Sequence, residues 1–146
     1  MAHAGQEIEG ADGFVLRLVR TGAETDGDVL EMEATYSGTA GMPPEHLHPN
    51  QAESFEVLEG SIRAVIGGEE RLHEEGEAFE VPPGTPHQMA ARGPSRVRWE
   101  VRPALRTAEF FERLHGDGPD SMRAAPSIAE FLEEFADEVR FTQPDG

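Results

Sequence analysis

"EHLHPNQAESFEVLEG", residues 45–60, carries two histidines one residue apart and, five residues after the second, a glutamate. In an extended strand residues i and i+2 point to the same side, so His46 and His48 project together. Imidazoles are costly to bury without a partner. Glu53 follows the short turn "PNQA" and returns to the same face from the neighbouring strand, with Phe55 and Val57 sharing its parity and pointing inward. Further along, "GEAFEVPPGTPHQMA" (76–90) sets a Pro82-Pro83-Gly84 turn before His87, which opens the next strand. Three imidazole nitrogens and one carboxylate suit a divalent transition metal such as iron, manganese, nickel, copper or zinc. On an octahedral ion, His46, His48, Glu53 and His87 would leave two positions for water, oxygen or substrate.

Outward from this stretch the chain reads as short alternating runs punctuated by 16 glycines and 11 prolines, the pattern of an all-β sandwich or barrel. "GFVLRLVRT" (13–21) is the first strand of this reading. In "DVLEMEATY" (28–36), Leu30, Met32, Ala34 and Tyr36 share one face and Glu31, Glu33 and Thr35 the other. "ESFEVLEG" (53–60) and "SIRAVIGG" (61–68) follow, with a Glu59-Gly60 hinge between them and Gly67-Gly68 as a tight hairpin turn. "EERLHE", "EAFEVPP", "HQMAA" and "SRVRWEVRP" (95–103) complete the set. After Pro103 the period changes. "TAEFFERLHG" begins at Thr107 as N-cap and stops at Gly116, and "SIAEFLEEFADEVRF" opens on a Ser127/Glu130 capping box with Ile128, Phe131, Leu132, Phe135 and Val139 on one stripe. Two short C-terminal helices of this kind would cover the outside or one end of a sandwich, or form a dimer contact.

The totals narrow the function classes. A chain of 146 residues has the size of one domain and buries roughly 70% of its unfolded surface, enough for one core. The expectation is a single domain over 1–146, with a barrel at about 13–103 and a helical extension at 104–146. There is no cysteine, so thiolate metal sites and disulfides are excluded. The net charge is −17 and every basic residue is arginine, a field that repels phosphate backbones and anionic membranes. Neither nucleic acid nor membrane is therefore expected as a partner. "MAHAGQEIEGADG" lacks a basic start and an apolar core, so the expected location is cytoplasmic.

The stretch 41–60 resembles the first motif of the cupin superfamily, a glycine, His-x-His, three or four residues, Glu, six residues and Gly: His46, His48, Glu53 and Gly60 match it. Residues 76–87 resemble the second motif, with Gly76, Pro82, Gly84 and His87 in register. Gly41 sits one residue closer to His46 than the pattern asks, and Ala91 replaces a usual asparagine, leaving the site more apolar. The resemblance covers about residues 28–102. It implies a double-stranded β-helix or jelly-roll barrel, a metal held by His46, His48, Glu53 and His87, and a homodimer.

Cupins with such a centre include dioxygenases, isomerases, decarboxylases, cyclases and binding proteins, so fold analogy does not choose the chemistry. The leading expectation is a metal-dependent dioxygenase acting on a phenolic or other apolar small molecule. The alternatives are a Lewis-acid cyclase or isomerase, and a binding cupin without turnover. Phe55, Phe79, Met89 and Trp99 are the candidates for lining a substrate pocket. His3, His73 and His115 have no partners at useful spacing and read as surface residues. Glu69, Glu70, Glu74 and Glu75 read as a solvated sheet edge that discourages pairing with another chain.

Overall fold

The computed structural model describes residues 2–142. In chain order the elements are β1 (Glu7–Glu9), β2 (Val15–Arg20), a single-turn α1 (Gly22–Thr25), β3 (Leu30–Tyr36), β4 (His46–Leu47), β5 (Ala52–Glu59) and β6 (Ser61–Ile66). Then follow β7 (Glu69–Glu74), β8 (Ala78–Val81), β9 (His87–Ala91), β10 (Ser95–Arg102), α2 (Thr107–His115), α3 (Ile128–Glu134) and β11 (Arg140–Phe141). The strands make two antiparallel sheets, β1-β2-β3-β10-β5-β8 and β11-β4-β9-β6-β7, in a double-stranded β-helix.

Alternation decides which side of each strand is covered. Leu30, Met32 and Ala34 of β3 are buried, as are Glu53, Phe55 and Val57 of β5 and Val97 and Val101 of β10. The outward residues pair across strands at the surface: Arg96 donates to Glu33 at 2.9 Å and to Glu59 at 3.0 Å. Such exposed pairs contribute at most about 1 kcal/mol each, so the inward apolar rows carry the sandwich.

Gly60 is the corner at which the chain leaves the first sheet, at the end of β5, and enters the second as β6. Its φ is +80°, and a Cβ there would collide with the carbonyl oxygen of Pro94 and the Oγ of Ser95. Gly67 and Gly68 both have positive φ and close the β6–β7 hairpin. The second sheet ends on β7, whose Glu69, Glu70 and Glu74 are exposed.

The helical region differs from the sequence expectation in four ways. Thr107 is the first residue of α2, not its cap; it is buried, and its Oγ1 accepts a 2.8 Å hydrogen bond from Gln51 Nε2. Gly116 ends α2 with an ordinary φ of −83°; it is a glycine because a Cβ would lie 2.6 Å from the Glu112 carbonyl oxygen. The stripe from Ile128 to Val139 is not one helix: α3 stops at Glu134, capped at its start by Ser127 Oγ accepting from the Glu130 N–H. Phe135 and Val139 still join Phe110 and Phe131 in one core cluster, but Arg140 and Phe141 become β11 and pair with β4. The barrel also takes in β1, ahead of residue 13, through pairing with β2. No helix among the described residues is long and apolar enough to cross a membrane.

Candidate metal centre

β4 and β9 pair so that His46 and His87 are Cα neighbours in the second sheet, and His48 lies one residue past the end of β4. Glu53 comes from β5 in the first sheet, so it faces the imidazoles across the sandwich rather than from the neighbouring strand. The ligand atoms of His46, His48 and His87 all lie within 4.8 Å of one another. Glu53 Oε1 is 2.9 Å from His87 Nε2 and 3.2 Å from His48 Nε2.

Each ring is oriented through its other nitrogen. Nδ1 of His46 lies 3.2 Å from the Pro44 carbonyl oxygen, that of His48 2.7 Å from Glu138, and that of His87 2.9 Å from Thr85. A carbonyl only accepts, so Nδ1 carries a proton in all three, and Nε2 is the ring nitrogen turned inward. Trp99 Nε1–H donates to Glu53 Oε2 at 2.8 Å, which leaves Oε1 aimed at the same point. His48 Nε2 and Glu53 Oε1 are buried with no hydrogen-bond partner.

Lone pairs set about 3 Å from an anionic oxygen repel unless a proton or a metal ion lies between them. Metal–nitrogen bonds of about 2.0–2.1 Å put neighbouring ligand atoms about 3 Å apart, so this donor set fits a first-row divalent ion. Electrostatics agree. Burial, together with the other two imidazoles, pushes His46 down to about 4. Burial opposes charge on His48 too, but its contacts with Glu53 and the Glu138 carbonyl outweigh it and raise the pKa. Burial favours the neutral acid at Glu53, yet His48 and His87 hold it down to about 2, an ionised carboxylate. The lowered His46 and the ionised Glu53 are what a cation site needs, whereas the raised His48 has to give up its proton when an ion binds.

The cluster faces a cavity of about 470 Å³ between the sheets and the C-terminal helices. Phe55, Met89 and Trp99 line it. Phe79 does not: it stacks behind Phe55 at 4.9 Å, with His73 on its other side at 4.1 Å. Ala91 likewise packs into the core beside Phe55 and Val97 rather than making the site more apolar. His115, read from sequence as a surface residue, is half-buried and lines the cavity from the end of α2. Strand parity had no way to reveal the far wall, which comes from Phe110, Phe111, Leu114 and Leu132 of the helices. The apolar stripe of each helix was the available signal; its destination was not.

Residues 32–101 match the family model described as the cupin domain, and this stretch is a cupin-superfamily domain. Among curated proteins, a quercetin 2,3-dioxygenase of Bacillus subtilis (strain 168) is 30% identical over 75 residues, which take in 51% of this chain and 22% of that enzyme. The chain thus spans about a fifth of that relative's length. Among solved structures, KdgF from Halomonas sp. superposes with a TM-score of 0.59 at 21% identity, covering 67% of this chain and 86% of that one. An RmlC-like cupin from Shewanella frigidimarina NCIMB 400 gives 0.61 at 15% identity, covering 71% and 88%. At those identities the structures speak for the fold alone.

Proposed function

We propose that this cupin is a metal-dependent enzyme, a dioxygenase acting on a phenolic or other apolar organic molecule. The observation that carries the reading is the set of inward Nε2 atoms and the unpartnered Glu53 Oε1 at one wall of an apolar cavity. A volume of about 470 Å³ lies within the range of small-molecule sites. The partial similarity to a quercetin dioxygenase supports the same substrate class.

His46, His48, His87 and Glu53 would hold the ion, which when bound supplies Lewis acidity and, if redox-active, electrons for dioxygen chemistry. The rest is the work of the chain itself. Pro44, Glu138 and Thr85 carbonyls hold the rings, and Trp99 holds the carboxylate. Phe55, Phe111 and Leu132 exclude water and offer flat apolar walls. Glu53 is the sole carboxylate lining the cavity among the described residues, so no separate carboxylate acid–base pair is present to drive proton transfer.

The test is to strip the protein with chelator, reload it with iron, manganese, nickel, copper or zinc, and follow oxygen uptake over a flavonol and phenolic panel. Oxygen consumed in step with substrate, and lost in His48→Ala, is the expected result. Turnover with zinc alone and no oxygen uptake would replace this reading with a Lewis-acid isomerase or cyclase. Stoichiometric metal with no turnover on any member of the panel would replace it with a binding protein.

A further inference from the structure

Two polar side chains line the cavity without a part in the candidate centre. Tyr36 ends β3 and His115 ends α2, and neither side chain has a hydrogen-bond partner among the described residues. They come from elements distant in sequence and converge on Phe14, whose ring lies 5.2 Å from that of Tyr36 and 5.8 Å from that of His115. Gly10 gives the imidazole its seat: a Cβ there would stand 3.2 Å from His115 Nδ1 and Cε1.

The register of the first sheet places these groups away from the cluster. On β10, Val101 is the Cα partner of Glu53, whereas Ser95, six residues away, is the partner of Tyr36. A row of rings covers the interval. Trp99, bonded to Glu53, meets Phe111 at 5.4 Å, and Phe111 stacks on His115 at 6.4 Å.

Building on the proposed function, we infer that Tyr36 and His115 form a hydrogen-bonding pole at the end of the cavity away from the imidazole cluster, and that this pole selects a flat aromatic substrate with a neutral hydroxyl or carbonyl at its outer end. Burial pushes the Tyr36 phenol up to about 12 and lowers His115, so both are neutral near pH 7. No arginine lines the cavity, and the chain has no lysine. An ionised carboxylate or phosphate at this end would therefore lie unpaired in apolar surroundings. A neutral hydroxyl can accept from Tyr36 and donate to His115. A substrate lacking it leaves both groups without partners, a difference worth roughly tenfold in affinity or more.

The experiment compares 3-hydroxyflavone with its 4′-hydroxy derivative by titration calorimetry on metal-free and zinc-loaded protein. Wild type is expected to bind the 4′-hydroxy probe roughly tenfold more tightly. Tyr36→Phe and His115→Leu should bring that preference close to one, His115→Gln should keep most of it, and 3-hydroxyflavone should bind all four proteins alike. Far-UV circular dichroism checks that each variant is folded. A preference that persists in both Tyr36→Phe and His115→Leu, or is absent from wild type that binds 3-hydroxyflavone, overturns the polar pole and leaves the proposed function standing. Failure of both flavones to bind wild type in either form overturns the aromatic-substrate reading, and the pole with it.

Discussion

The four candidate ligands show how little of a site is made by the ligating atoms alone. What aims them is Pro44, Glu138 and Thr85 through their backbone carbonyls, and Trp99 through its indole. Trp99→Phe removes the hydrogen bond to Glu53 Oε2 while keeping most of the ring, so metal affinity should fall about 10-fold or more. Competition with a fluorescent chelator measures this. Unchanged affinity would show that Trp99 does not orient the carboxylate. The same cluster sets a pH dependence in metal-free protein. Glu53, held at about 2 against an ordinary 4.5, contributes stability that is complete above pH 4.5 and lost as pH falls toward 2. His46, held at about 4, penalises the folded state as pH falls from 6.5 to 4. His48, raised above 6.5, contributes below 6.5 and loses that contribution as pH rises through its folded value. The Glu53 and His48 contributions are thus both full between about pH 4.5 and 6.5, and the difference in melting temperature between wild type and Glu53→Gln should be greatest there. A flat difference would contradict it. Residue identities and spacings were readable from the chain because His-x-His and the later His87 need only period-two parity. The carbonyl tethers were not, since backbone acceptors leave no mark in residue type.

At the scale of elements, strands were legible wherever alternation ran for six residues or more, as in β3, β5, β6 and β10. β1 and β11 span three and two residues and escape a periodicity test. β11 was further disguised by the apolar stripe of α3, which continues in space through Phe135 and Val139 after the helix has ended. Phe135 is fully buried, packed on Phe110 and Phe131, with the Arg106 guanidinium 4.6 Å from its ring centre. Phe135→Ala should cost about 3–5 kcal/mol in urea unfolding. It should also weaken metal binding, because the Phe135 core cluster seats the segment that carries the Glu138 carbonyl. A destabilised variant with wild-type metal affinity would show that the segment docks independently of that core. Gly60→Ala tests the corner between sheets: positive φ and collision with Pro94 and Ser95 predict a loss of about 2 kcal/mol or more, seen as a lower urea midpoint.

For the whole molecule, two sheets from one chain meet at a cluster that draws on both, so a bound ion is a cross-brace. An ion held at a thousandfold excess over its dissociation constant adds about 4 kcal/mol to folding. For a chain of this size that corresponds to a fall of roughly 10 °C in melting temperature when chelator removes the ion. Calorimetry with and without EDTA decides it; an unchanged midpoint would mean that the cluster does not brace the sheets. The β-sandwich class was legible at this scale because Gly60 and Gly67-Gly68 mark corners. Which sheet each strand joins was not, so Glu53 was assigned to an adjacent strand although it faces the histidines from the opposite sheet.

The contact between His48 and the Glu138 carbonyl joins positions 90 residues apart in the chain. During synthesis, all four candidate ligands leave the ribosome well before the peptide group that steadies one of them. A nascent chain therefore holds the His48 ring untethered until residue 138 has been made and has folded back onto it.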